Sequence, residues 1–171
     1  MTDSPSPPLE FSTRHVNESV GSLFSRVRST MANMINQRTT CELGITGTQG
    51  SILFMVWSGK CLLGAELARE FGIDASAVTR RIDLLEARGL LRRVRSAEDR
   101  RVVRLALTPE GEAMAAHMPA IFASVVDKQL SGFTPEETGF LKSMLRRVLA
   151  NSGDLAGLTH DAALYPEKKT H

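Results

Sequence analysis

The chain has 171 residues, 42% of them hydrophobic and 23% charged, with two cysteines, four histidines and a formal net charge of +2. That is an ordinary globular balance for a single domain with a core of its own. It excludes a disulfide framework, because Cys41 and Cys61 are too few, and the scattered histidines leave no metal-ligand spacing. No apolar run reaches the length of a bilayer span, and the opening MTDSPSPPLEF lacks the basic and apolar regions of a secretory signal, so a cytoplasmic protein is expected.

The charge is unevenly placed. From Arg80 to Arg104 there are nine arginines against four acids, a local excess of five positive charges, which leaves the rest of the chain near −3. Every basic residue in that window is arginine, whose planar fork suits phosphates and guanine edges better than a lysine ammonium does. A polyanionic partner is the expectation.

In chain order, residues 1–11 read as a flexible Ser- and Pro-rich arm. Apolar residues from Val16 to Ile35 recur every three or four positions and predict an amphipathic helix over 12–38, followed by a turn at Cys41-Glu42-Leu43-Gly44. Thr46 opens a second helix to about Trp57, and Ser58-Gly59-Lys60 breaks it. A short helix fits 64–71, with Leu67 and Ala68 facing inward. Asp74 is a good N-cap for a helix over 75–88, which Gly89 ends. Residues 90–95 and 102–107 alternate as two strands of an antiparallel hairpin around the loop SAEDRR. Thr108-Pro109-Glu110-Gly111 starts a helix to about Leu130, bent near Pro119, and Thr134-Pro135-Glu136-Glu137 starts the last, striped with Phe140, Leu141, Met144, Leu145, Val148 and Leu149.

The fold class is therefore mainly α with a small β-hairpin wing: a winged helix-turn-helix over 46–108, flanked by long helices over 12–45 and 109–152, with a tail over 153–171. The flanking stripes exceed what so small a core can absorb, so a two-fold homodimer is expected.

The run from Leu43 to Gly111 resembles the MarR (multiple antibiotic resistance regulator) family of winged-helix transcription factors. The resemblance rests on Leu-Gly-Ile-Thr-Gly-Thr-Gln, Leu67-Ala68, Ala77-Val78-Thr79-Arg80, Ile82-Asp83-Leu84-Leu85-Glu86, Arg88-Gly89-Leu90-Leu91-Arg92-Arg93, Asp99-Arg100-Arg101 and Leu107-Thr108-Pro109-Glu110-Gly111, in that order and spacing. With the flanking helices it covers about 12–150. It implies a DNA-binding regulator, by family habit a repressor, whose dimer reads a pseudo-palindromic double-stranded operator.

On that resemblance the helix over 75–88 enters the major groove, with Ser76, Ala77, Thr79 and Arg80 towards the DNA and Val78, Ile82 and Leu85 towards the core. Arg80 is the candidate guanine contact. Arg81 departs from the family's usual apolar residue and is assigned to the DNA backbone, with a solvated arginine face as the competing reading for Arg81 and Arg88. The hairpin tip becomes a wing over the minor groove: Asp99 orders the loop, Arg101 enters the groove, and Arg95 and Arg100 meet phosphates.

The resemblance further implies release by a small aromatic or phenolic carboxylate held between the winged unit and the dimer helices. Arg14, His15 and Arg38 are candidate carboxylate partners, and Phe24, Met31, Met34, Phe54 and Trp57 candidate walls. Gly50 stands where the family often has a bulky aromatic, which reads either as a larger pocket or as close helix packing. A thiol-based redox regulator is the alternative. In such relatives the reactive cysteine lies inside the first helix, whereas Cys41 is expected beyond it and Cys61 before the short helix, neither with a basic neighbour at helical spacing. A winged-helix protein-interaction module is the remaining alternative. No cofactor is expected, and no nucleophile elbow, P-loop, HExxH or Cys–His pair suggests an enzyme.

Overall fold

The computed structural model describes residues 18–95 and 102–151. Among these described residues, six helices and one hairpin follow in the order α1 (Val20–Leu43), α2 (Gly47–Trp57), α3 (Gly64–Phe71), α4 (Ala75–Ala87), β1 (Leu91–Arg95), β2 (Val103–Leu107), α5 (Pro109–Gln129) and α6 (Pro135–Asn151).

The first helix differs from its expected bounds at both ends. It begins after Ser19, whose hydroxyl accepts the Ser22 N–H at 3.2 Å, and it runs past Arg38 to Leu43. Cys41, Glu42 and Leu43 are thus its last turn and not a connecting turn, because nothing between Arg38 and Leu43 breaks a helix. Gly44, at φ 63°, ends it by donating its N–H back to the Thr39 and Thr40 carbonyls. The arm, residues 12–17 and the tail lie outside the described residues.

Helix α2 is the hub. Thr46 and Gln49 cap it reciprocally, and Ile52, Leu53, Phe54 and Val56 are buried on several sides of it. It lies close to both of its neighbours. A Cβ at Gly47 would sit 3.0 Å from the Asn36 Cα of α1, and the Gly47 N–H donates to Asn36 Oδ1 at 2.9 Å. A Cβ at Gly50 would sit 2.6 Å from the Met118 Sδ of α5. The space beside Gly50 is therefore filled by Met118, and the close-packing reading holds over the enlarged pocket.

The winged unit folds as its capping signals predict. Glu66 accepts the Leu62 and Leu63 N–H groups at 2.7 and 2.9 Å and so starts α3. Asp74 accepts the Ser76 N–H at 2.9 Å and starts α4, which buries Val78, Ile82 and Leu85. Gly89, at φ 69°, follows the Arg88 cap. Each strand starts one residue later than expected. Leu90 is taken up by the turn, donating its N–H to the Leu85 carbonyl at 3.0 Å and accepting the Thr108 N–H at 3.2 Å.

β1 pairs antiparallel with β2 in the register Leu91↔Leu107, Arg93↔Leu105 and Arg95↔Val103. The Leu105 N–H also donates to the Leu62 carbonyl at 2.8 Å, tying the wing to the start of α3. Thr108 donates to the Gly89 carbonyl at 2.6 Å and accepts the Gly111 N–H at 3.1 Å, so one hydroxyl closes the turn and caps α5. α5 continues through Pro119 as one helix, and α6 begins after Thr134.

The main core lies among α2, α3, α4, the hairpin and the start of α5, with Ile52, Leu67, Leu85 and Leu91 at its centre. Full burial of each such side chain contributes about 1.5–3 kcal/mol. A second, smaller cluster of Phe54, Met118 and Ile121, flanked by Ile35 and Phe122, holds α1 and α5 to α2. No residue of α6 is buried, and only Thr39 is buried in α1.

Candidate nucleic-acid interface

Helix α4 turns its apolar stripe into the core, which leaves Ser76, Thr79 and Arg80 exposed and Ala77 half-buried on the outer side. The Ser76 hydroxyl donates to the Asp74 carboxylate, and this bond, with the main-chain N–H of Ser76, holds the Asp74 carboxyl below its usual range. The Thr79 hydroxyl donates to the Ala75 carbonyl at 2.9 Å, which leaves its lone pairs free to accept. Arg80 makes no hydrogen bond or ion pair with another described residue. The outer face of α4 thus combines small hydroxyls with one unengaged guanidinium, a set that can read base edges and meet phosphates.

The other arginines divide into two groups. Arg92, Arg95 and Arg104, on the hairpin, are exposed and likewise have no partner among the described residues. Arg81, Arg88 and Arg93 are engaged by the protein. Arg81 folds back to the Ala77 carbonyl of its own helix at 2.9 Å. Arg88 donates to the Gly44 carbonyl at the end of α1 at 3.0 Å. Arg93 is paired with both Asp83 and Glu86. Neither of the last two links was visible in the sequence, because their partners lie far away along the chain or across a turn. Asp99, Arg100 and Arg101 lie outside the described residues.

The candidate effector residues do not gather in one place. Arg14 and His15 lie outside the described residues. Arg38 reaches Glu42 on its own helix and Ser124 of α5, each at 2.6 Å. Phe54 is buried, with Phe122 edge-on at a centroid distance of 5.4 Å. Trp57, 6.0 Å from Phe54, is 48% exposed. A groove of about 690 Å³ lies elsewhere, between α1, the end of α5 and α6. It takes in Phe24 and Met31, together with Val27, Leu130, Phe133 and Leu145, and carries Arg26 and Lys142 among its lining.

The structure moves Cys41 from its expected place and leaves Cys61 where it was expected, before α3. Cys41 is inside the first helix, in its exposed last turn, and Arg38 stands one turn before it, although that guanidinium is directed to Glu42 and Ser124. Cys61 is buried, and burial first, then Glu70 and Glu66, push its thiol pKa up, which disfavours the reactive thiolate. Among the described residues no three His, Cys, Asp or Glu side chains form a metal cluster, and no helix is long and apolar enough to cross a membrane.

This geometry agrees with the comparisons to known proteins. The MarR family model matches residues 43–102, the span from the end of α1 through the wing. The multiple antibiotic resistance protein MarR of Salmonella typhimurium is 27% identical over 76% of this chain and 90% of its own length. These matches support reading the chain as a MarR-family winged-helix regulator. The HTH-type transcriptional repressor MdtR of Bacillus subtilis is 29% identical over 70% of this chain and 74% of its own. The reduced form of Escherichia coli MarR superposes with a TM-score of 0.68 at 25% identity, covering 77% of this chain and 96% of that one. The match thus includes the flanking helices as well as the winged unit. Its relatives are named as regulators and repressors, not enzymes.

Proposed function

We propose that this protein is a MarR-family homodimeric repressor that binds a pseudo-palindromic DNA operator and leaves it when a small aromatic or phenolic carboxylate binds. The observation that carries the DNA reading is the outer face of α4: Ser76, Thr79 and Arg80 stand beside a hairpin bearing Arg92, Arg95 and Arg104, and none of these four arginines has a partner among the described residues. A cationic surface whose charges are not used internally is what counterion release requires. Arg80 makes the guanine contact, Ser76 and Thr79 meet phosphate or base, and Arg81 is demoted by its bond to Ala77. Arg95 and Arg100 meet phosphates, and Arg101 enters the minor groove next to Asp99.

The dimer is supported by the apolar faces of α1 and α6, where Val20, Leu23, Val27, Phe140 and Met144 are exposed among the described residues. Two copies joined there present two α4 helices about one helical turn of DNA apart. For the effector, Phe24, Arg38 and Trp57 are the described members of the candidate set that remain at the surface, with Arg38 as the carboxylate partner. A ligand that prefers the spacing unable to bind DNA must weaken DNA binding.

Fluorescence anisotropy with a duplex from upstream of the protein's own gene, against a scrambled duplex across a salt series, tests the reading. A large excess affinity with a steep negative salt slope is expected, and Arg80→Ala is expected to abolish the discrimination. Equal, weak affinity for both duplexes would count against it. Aromatic acids added to the same titration should lower operator affinity, and Arg38→Ala should remove that response.

A further inference from the structure

Arg93 stands in the most basic stretch of the chain, yet its side chain is turned back onto α4. One guanidinium nitrogen donates to Asp83 Oδ1 at 2.7 Å and another to the Glu86 carboxylate. Its main-chain N–H donates to Glu86 Oε1 at 3.1 Å, so Glu86 holds both the side chain and the backbone of β1. Asp83 and Glu86 are one turn apart on one face of α4. They are also the only acids between Arg80 and Arg95. Hydrogen bonding to Asp83 above all, and then to Glu86, raises the Arg93 pKa still further, against the opposing effect of burial.

Two carboxylates on a helix that enters DNA weaken its attraction for phosphates. Their position makes sense if they serve the arginine and not the duplex. In the ladder Arg93 is opposite Leu105, whose buried side chain puts this face of the hairpin towards the winged core. The fork therefore spans the joint between the reading helix and the strand that leads into the wing, two residues before β1 ends at Arg95.

We propose that Arg93 is a positioning residue for DNA recognition: forked across Asp83 and Glu86, it clamps the wing to α4 so that both meet the duplex at a fixed angle. The proposal rests on the DNA-binding reading above. A clamped wing has its orientation set before the DNA arrives, so less ordering is left to oppose binding.

Electrostatics alone and the clamp predict opposite signs for one variant. Asp83→Asn with Glu86→Gln removes two negative charges beside the DNA, so affinity for any duplex rises if charge is all that matters. If the clamp positions the wing, random-duplex binding strengthens while operator binding weakens, and the specificity ratio falls about tenfold. The experiment measures both affinities by anisotropy, using a duplex selected by the wild-type protein from a randomised pool. The swap Arg93→Glu with Glu86→Arg is expected to recover much of the ratio that Arg93→Glu alone loses. Arg101→Ala is expected to cost less affinity in the charge-neutral background than in the wild type, because an unclamped wing no longer delivers that side chain.

Tighter binding to both duplexes with an unchanged ratio would overturn the clamp, as would an Arg101→Ala effect of equal size in both backgrounds. If the pool yields no preferred duplex for the wild type, the DNA reading fails and takes the clamp with it. That outcome differs from a preferred duplex whose ratio ignores Asp83 and Glu86.

Discussion

The winged unit and the flanking helices are built on opposite terms. In the winged unit nearly every large apolar residue finds a neighbour in the same chain; Leu53, Leu67 and Leu85 are fully buried. In α6 no residue is buried, and the outer half of α1 leaves Val20, Leu23, Phe24 and Val27 exposed. The first region is complete as one chain. In the proposed dimer the same surface on a second copy covers the second region.

This contrast can be broken most severely at the flanking helices. Phe140→Glu with Leu145→Glu is expected to abolish the dimer in sedimentation experiments, and operator binding with it, while amides in α2 and α4 keep their hydrogen-exchange protection. Loss of that protection would mean that the winged unit is not complete by itself. Leu67→Ala attacks the other side. It should cost about 2–5 kcal/mol of stability in denaturant unfolding, and the dimer should persist wherever the chain stays folded.

Smaller effects sharpen the same comparison. Arg101→Ala should reduce the slope of log affinity against log salt by about one unit if its contact is mainly to the DNA backbone. Iodoacetamide should modify Cys41 in the native protein and Cys61 only on unfolding, because one thiol is exposed and the other is buried with a raised pKa. If blocking Cys41 released operator DNA, the thiol-based alternative would gain what the effector reading lost.

Much of the winged unit was legible because its signals are local. Thr46, Asp74, Gly89 and Thr108 each act within three or four residues of themselves or at an adjoining turn, and the spacing of Val78, Ile82 and Leu85 fixes the inner face of α4. The end of α1 was less legible, because Cys41-Glu42-Leu43 suits a helix and only Gly44 stops it. The arginines were hardest to sort. Counting them revealed an excess of charge, but the sequence does not say which are engaged by the protein itself. Arg88 finds the Gly44 carbonyl and Arg93 finds Asp83 and Glu86 only after the chain has folded back, and those engagements narrow the DNA-facing set. For the candidate effector residues, periodicity could mark apolar positions but could not separate the buried Phe54 from the exposed Trp57.

The tight seating of α2 on its neighbours has a mechanical consequence. With Gly47 against Asn36 and Gly50 against Met118, α2 has little room to slide along α1 or α5, so the winged unit and the inner end of α1 travel together. α1 has 24 residues, which makes it a rod about 36 Å long. Pivoting such a rod by about 5° at the dimer seam swings its far end by roughly 3 Å, close to the spacing of successive bases. In the proposed dimer a slight change of angle between two copies would thus be geared up into a misfit of about one base step at the DNA.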